Sequence, residues 1–191
     1  MKTLMKGVLR TVFLAIAFPC ALTSGFGRIE AIYRFWTHFS AILPGLPGDY
    51  FRSGYYRLTL EKCALESRIE FGSFFAHPQA SVGRGVYIGC YCVLGRISIG
   101  DRTQIATGVQ ILSGSRQHAR DSEGRILGAE LSSFKTVVIG SDCWIGAAAI
   151  VMADVGNGAT IGAGSVVTRP IPPGVVAVGN PARIIRSAGE A

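Results

Sequence analysis

The sequence predicts an all-β coil of short stacked strands, preceded by an N-terminal α-helical segment. Two observations point to the coil. Aliphatic residues recur at six-residue intervals, as Val82, Ile88 and Leu94, then Ile139, Ile145 and Val151, then Val155, Ile161 and Val167. Glycine follows most of them, as at Gly83, Gly89, Gly95, Gly140, Gly146, Gly156 and Gly162. A third observation points to the helical segment: Ile32, Phe35, Trp36, Phe39, Ile42 and Leu43 fall on one face of a helix over residues 29–43.

A period of six is neither the helical nor the strand period; it marks a repeat. If the chain bends after each short strand, every aliphatic residue points inward and three strands close a triangular coil. The next coil stacks about 4.8 Å away. Stacked coils share a core that no single repeat can build. The glycine after each aliphatic is expected at the corner, where it carries no Cβ penalty. Ala147, Ala149, Ala163 and Ser165 leave room for close stacking.

Three stretches carry a resemblance. They are Trp144-Ile145-Gly146-Ala147, Val151-Met152-Ala153-Asp154-Val155 and Ile161-Gly162-Ala163-Gly164-Ser165-Val166-Val167-Thr168. They are followed by Pro172-Pro173 and Gly179-Asn180-Pro181-Ala182-Arg183. Over residues 65–186 the chain resembles the hexapeptide-repeat acyltransferases, of the sugar O-acetyltransferase and polysaccharide-biosynthesis type. That resemblance implies a left-handed parallel β-helix, a homotrimer and acetyl-CoA as acyl donor. Spacing alone does not give the left-handed sense, since parallel crossovers are normally right-handed.

In chain order, residues 1–62 form the helical region and 63–191 the β-helix domain, with an excursion over 113–136. The chain starts with Lys2, Lys6 and Arg10, then an apolar run over 12–22 interrupted by Pro19. This has the shape of an export signal and falls short of the roughly 20 residues that span a bilayer. The alternative is a retained segment lying on the membrane, its basic residues at anionic headgroups. The second is expected, because an acyl-CoA donor is cytosolic and export separates enzyme from donor. That places the protein in the cytoplasm, at the inner face of the cytoplasmic membrane. The helix over 29–43 ends before Pro44; its aromatic face either meets the membrane or packs on the coil. His38 reads as a surface residue. Residues 44–64 open as a loop, and Asp49 to Leu58 is aromatic and basic, suited either to an acceptor site or to the first coil. His77 reads as a hydrogen-bonded structural histidine, with a place in the acceptor pocket as the alternative.

The chain of 191 residues holds one core and an appendage, and its 25 glycines suit a turn-rich repeat. A formal charge of +7 favours anionic partners, either a membrane surface or a phosphorylated ligand such as coenzyme A. The basic residues are scattered and no nucleic-acid motif is present, so nucleic acid is not an expected partner. Five cysteines lack paired zinc spacing; Cys90 and Cys92 read as small packing residues and reduced thiols.

Acyl transfer from a thioester to a hydroxyl needs a base, and histidine titrates near neutrality. Only His118 of the three histidines lies in the excursion, and the resemblance places the family's catalytic histidine in the same loop. The ring is expected to be oriented by Asp121, Glu123 or a backbone carbonyl. The resemblance further implies that Trp144 flanks the base, that the Ala147 amide meets the thioester, and that Ala163, Thr168 and Arg169 line the pantetheine arm. Arg183 and Arg186 would approach the nucleotide phosphates. The asparagine and aspartate that sugar-acetylating members use on their acceptor have no clear counterpart. No metal is expected: a zinc carbonic anhydrase on this fold needs three histidines, and the repeat region offers only His77 and His118. The expected function is O-acetylation of a sugar or lipid-linked glycan precursor. The alternatives are acetylation of serine or an antibiotic, or a trimeric scaffold without catalysis.

Overall fold

A computed structural model describes residues 2–115, 117–128 and 131–186; Arg116, Ala129 and Glu130, within the 113–136 excursion, lie outside them. Three helices come first: α1 (Lys2–Thr23), α2 (Glu30–Ala41) and α3 (Gly45–Thr59). A three-sided β-solenoid of about six turns follows. Its first three turns are β1 (Lys62–Cys63), β2 (Arg68–Ile69) and β3 (Phe74–Phe75); β4 (Ala80–Val82), β5 (Tyr87–Ile88) and β6 (Val93–Leu94); β7 (Ile97–Ile99), β8 (Gln104–Ile105) and β9 (Gln110–Ile111). The fourth is β10 (Val137–Ile139), β11 (Trp144–Ile145) and β12 (Ile150–Val151). The fifth pairs Val155 with β13 (Thr160–Ile161) and β14 (Val166–Val167), and the sixth pairs Ile171 with β15 (Val176–Val178). Strand β16 (Arg183–Arg186) then folds back antiparallel on β15.

The six-residue spacing becomes a column of side chains. Ile69, Ile88, Ile105, Ile145, Ile161 and Ala177 stack in register through parallel pairings, and all are fully buried. The glycine beside each aliphatic has a different job from the one its spacing suggests. It is needed for close approach, not for a left-handed backbone. A Cβ on Gly146 would lie 2.5 Å from the Ala163 nitrogen, and one on Gly140 2.5 Å from the Asn157 nitrogen. The left-handed corner falls two residues later, at Gly164, but also at Ala148, Arg102 and Asp142.

The helices close the open end of the solenoid. Corner N–H groups such as Tyr91 donate back to the previous turn, while one set of strand carbonyls accepts from N–H groups of the preceding turn, as in Arg68 N to Val86 O and Glu70 N to Ile88 O. Carbonyls of the first turn therefore have no preceding turn to serve, and helix side chains meet them. Arg57 donates to Cys63 O at 3.4 Å, Ser53 to Ser67 O at 3.0 Å, Arg52 Nε to Ile69 O at 2.8 Å and Tyr33 to Phe75 O at 3.1 Å. Arg52 is fully buried. Its Nη1 donates to Ser40 O and Leu43 O at 2.8 Å, and its Nη2 pairs with Asp49 at 2.7 Å. Burial pulls its pKa down, and the Asp49 carboxylate pushes it back up. The aromatic-basic stretch thus packs the first turn, and most of it is helix rather than loop.

Two expectations for the N-terminal region change. The apolar segment is longer than the run over 12–22, because α1 continues through Pro19 and Leu4–Thr23 is long and apolar enough to cross a membrane. Lys6 and Arg10, four apart, share one face and leave Leu4, Met5 and Val8 as an exposed apolar surface beside them. A stripe of α1 packs on α3: Ala17 and Ala21 are buried, and Phe13 stacks on Tyr50 at 5.8 Å. In α2 the buried face is the polar one, Tyr33, Thr37, Ser40 and Ala41. Phe35, Phe39 and Ile42 point outward, at 60%, 40% and 65% exposure. Small residues let α2 sit close enough for its carbonyls to reach Arg52, so Phe35 and Phe39 are left outside, while Trp36 and Leu43 of the same face pack half-buried against the core.

Replacing Arg52 with Met should lower stability by about 3–5 kcal/mol, because three carbonyls lose this donor and Asp49 keeps only Arg68; urea denaturation measures it. Gly146→Ala should cost more than Gly164→Ala despite the positive φ of Gly164, since only the first meets backbone.

Candidate functional site

The excursion is clamped at both feet. It leaves after Ser113, whose Oγ accepts the Arg96 N–H at 2.9 Å, and returns at Lys135, whose N–H donates to Ser113 O at 3.0 Å. The Val137 N–H then donates to Arg96 O at 3.0 Å. Side chains brace the same point: Phe134 lies under the Arg96 guanidinium at 5.5 Å and meets the His77 ring edge at 5.2 Å. His77 makes no side-chain hydrogen bond among the described residues, so it is held by packing and not, as the sequence suggested, by a polar partner. Burial and the neighbouring Arg96 charge lower its pKa.

Beyond the feet the chain forms a small hairpin. Arg120 pairs with Ile126, Leu127 N–H donates to Ala119 O at 2.9 Å, and Gly124 turns the tip with φ +78°. The Asp121 carboxylate is taken up by the Glu123 and Arg125 N–H groups, both at 2.9 Å, and by Arg125 Nε at 3.1 Å. Those donors, the Arg125 N–H first, hold it below the usual carboxylate range.

His118 stands exposed at the foot of this hairpin, its Nδ1 3.1 Å from Leu127 O. A carbonyl offers no proton, so Nδ1 carries the hydrogen and a neutral ring keeps its lone pair on Nε2. Of the three orienting groups considered, the backbone carbonyl is the one in contact.

The remaining sequence-derived residues fall into two groups. Trp144 is 60% exposed on β11, in an outward row with Thr160, Val176 and Arg186. At one strand spacing per step, Arg186 lies about 14 Å along this row from Trp144. Arg183 is on the same antiparallel strand. Ala147 and Ala163 stack at the adjoining corner, where Gly164 N–H donates to Ala147 O at 2.8 Å. The Ala147 N–H meets no acceptor among the described residues. Thr168 and Arg169 belong to the next corner, the one from which the His118 excursion leaves. The sheet made of β3, β6, β9, β12 and β14 separates the two groups within one chain. The sequence reading missed Arg96 and Phe134. The one available signal was the shortened step between Leu94 and Ile99, which marks the corner where Arg96 sits.

Residues 136–169 match the family described as bacterial transferase hexapeptide (six repeats). The galactoside O-acetyltransferase of Escherichia coli K12 is 40% identical over 97 residues, 49% of this chain and 45% of that protein. The Escherichia coli K12 serine acetyltransferase is 34% identical over 119 residues, 57% of this chain and 37% of that protein. The chain thus spans under half the length of these curated relatives. A maltose O-acetyltransferase structure from Clostridium difficile 630 superposes with a TM-score of 0.70 at 26% identity, covering 89% of this chain and 91% of that one.

Replacing Phe134 with Ala should free the feet of the excursion. Limited proteolysis should cut within 117–128 several-fold faster, while the thermal midpoint of the solenoid moves little.

Proposed function

We propose that this chain, which belongs to the hexapeptide-repeat acetyltransferases, is an acetyl-CoA-dependent O-acetyltransferase acting on a hydroxyl of a sugar or glycan precursor. The observation that carries this reading is the exposed His118, whose Nδ1 is engaged by Leu127 O and whose Nε2 meets no partner among the described residues. Nε2 removes the acceptor hydroxyl proton as that oxygen attacks the thioester carbon. The Ala147 N–H is a free donor for the resulting oxyanion. When the tetrahedral intermediate collapses, the coenzyme A thiolate leaves and takes the proton back from the imidazolium.

In this reading the coil is left-handed and the protein is a homotrimer. One prism alone keeps the two groups of residues apart, on either side of a sheet. A groove between neighbouring copies allows the His118 corner of one to face the Trp144 and Ala147 edge of the next. Acetyl-CoA lies in that groove, with Ala163, Thr168 and Arg169 along the pantetheine and Arg183 and Arg186 at the phosphates. The relatives acting on galactoside and maltose favour a sugar acceptor. The serine acetyltransferase match, at comparable identity, supports L-serine as a second reading.

The helical region brings the enzyme to the membrane. Helix α1 packs on α3 by one stripe and keeps Leu4, Met5, Val8, Val12, Ile16 and Leu22 exposed. With the outward aromatics of α2 and the basic Lys6 and Arg10, it suits an in-plane position at anionic headgroups.

Thiol release from acetyl-CoA, with an acceptor screen of sugars and L-serine, tests the activity. His118→Ala should lower kcat by about 10²–10⁴-fold, while Trp144→Ala should chiefly raise KM for acetyl-CoA. Phosphatidylglycerol vesicles should float the full chain, and Phe35→Ser with Phe39→Ser should weaken flotation at least several-fold. An active protein that stays off such vesicles refutes the membrane assignment alone.

A further inference from the structure

A recess of about 590 Å³ opens at the seam between the helices and the solenoid. Its walls are the turn between α1 and α2 (Phe26, Arg28, Glu30), the α3–β1 link (Glu61) and two solenoid corners (His77 and Arg96). The turn is forced against the floor: Gly27 has φ +89°, and a Cβ there would lie 2.6 Å from Thr59 O. The volume suits one small hydroxylated ligand.

Arg96 sets this recess apart. Its Nε is the one buried side-chain nitrogen or oxygen without a hydrogen-bond partner among the described residues. Its guanidinium forms no ion pair there either, unlike Arg68, Arg84, Arg102 and Arg125. Phe134 holds the group in place from one side and supplies no acceptor. A buried cationic donor left unmet is costly, and folded proteins keep few of them. Glu30 and Glu61 are exposed at the rim, and neither reaches an arginine within ion-pair distance among the described residues. The inner wall thus carries a guanidinium without an ion-pair partner among the described residues, with His77 beside it to exchange hydrogen bonds with hydroxyls.

We propose that this recess binds an oxyanion, a carboxylate or phosphate carried on a hydroxylated molecule, with Arg96 as the inner anchor and Arg28 at the rim. Ser113 at one foot of the His118 excursion, and Val137 just past the other, hydrogen-bond to the Arg96 backbone, so the bound molecule lies at the base of the catalytic loop. Its identity as the acyl acceptor rests on the transferase reading above; the anion site does not. The acceptor class becomes an acidic or phosphorylated sugar rather than a neutral one.

Calorimetry on the full chain with glucuronate, glucose 6-phosphate and glucose tests this. One or both anionic sugars should bind at least tenfold more tightly than glucose, and the stronger of the two identifies carboxylate or phosphate. Arg96→Met, which keeps the stem against Phe134, should abolish that preference. It should leave coenzyme A affinity intact and the thermal midpoint unchanged or raised, whereas a purely structural arginine would lower the midpoint. Equal binding of all three sugars, no binding of any, or a preference that survives Arg96→Met overturns the proposal. A wild-type crystal soaked with the tighter probe needs no variant: the anion must contact Arg96, and density elsewhere is equally fatal. If the anion binds through Arg96 while acetyl-CoA is never consumed, the function proposed above fails and this site stands.

Discussion

A solenoid satisfies its backbone only through its neighbours, so its ends set the terms for the rest of the molecule. In each turn one set of strand carbonyls accepts N–H groups of the turn before. The first turn is left with carbonyls that nothing in the repeat can serve, and orphaned backbone acceptors are costly when buried. Arg52, Arg57, Ser53 and Tyr33 meet them. At the other end β16 reverses direction and lies along β15. The helical region is thus a cap in the physical sense, required for the coil to end in water.

That requirement explains the orientation of α2. A guanidinium reaching Ile69 O, Ser40 O and Leu43 O at once needs the α2 backbone close to the first turn. Thr37, Ser40 and Ala41 are small enough to allow it; Phe35 and Phe39 are not. Phe35 and Phe39 are therefore turned outward, against the usual preference for burying them. Together with the exposed side of α1, the cap acquires an apolar outer surface, and such surfaces mark contact with membranes or partners.

The rigid coil also determines what the excursion can do. Its feet are tied to each other through Ser113, which is pinned to Arg96, and its hairpin is closed by the carboxylate of Asp121. His118 is therefore presented on a braced support, and one backbone carbonyl selects its tautomer. The same pinning fixes Arg96 between the loop and the helical cap, where its charge faces a recess and not a carboxylate. Loop, recess and cap meet at one corner of the prism.

Taken alone, the sequence determined the solenoid, its in-register aliphatic columns and the site of the excursion that carries His118. All of these follow from a period and from one break in it, and a period is a local property that survives without coordinates. The two jobs of glycine were not separable by spacing, since close approach and positive φ both exclude bulk and sit two residues apart. Which face of α2 is buried, what orients His118, and why Arg96 matters were decided only by the tertiary structure. Each depends on a backbone carbonyl, or its absence, contributed by a segment distant in sequence, and a one-letter code does not record where carbonyls point.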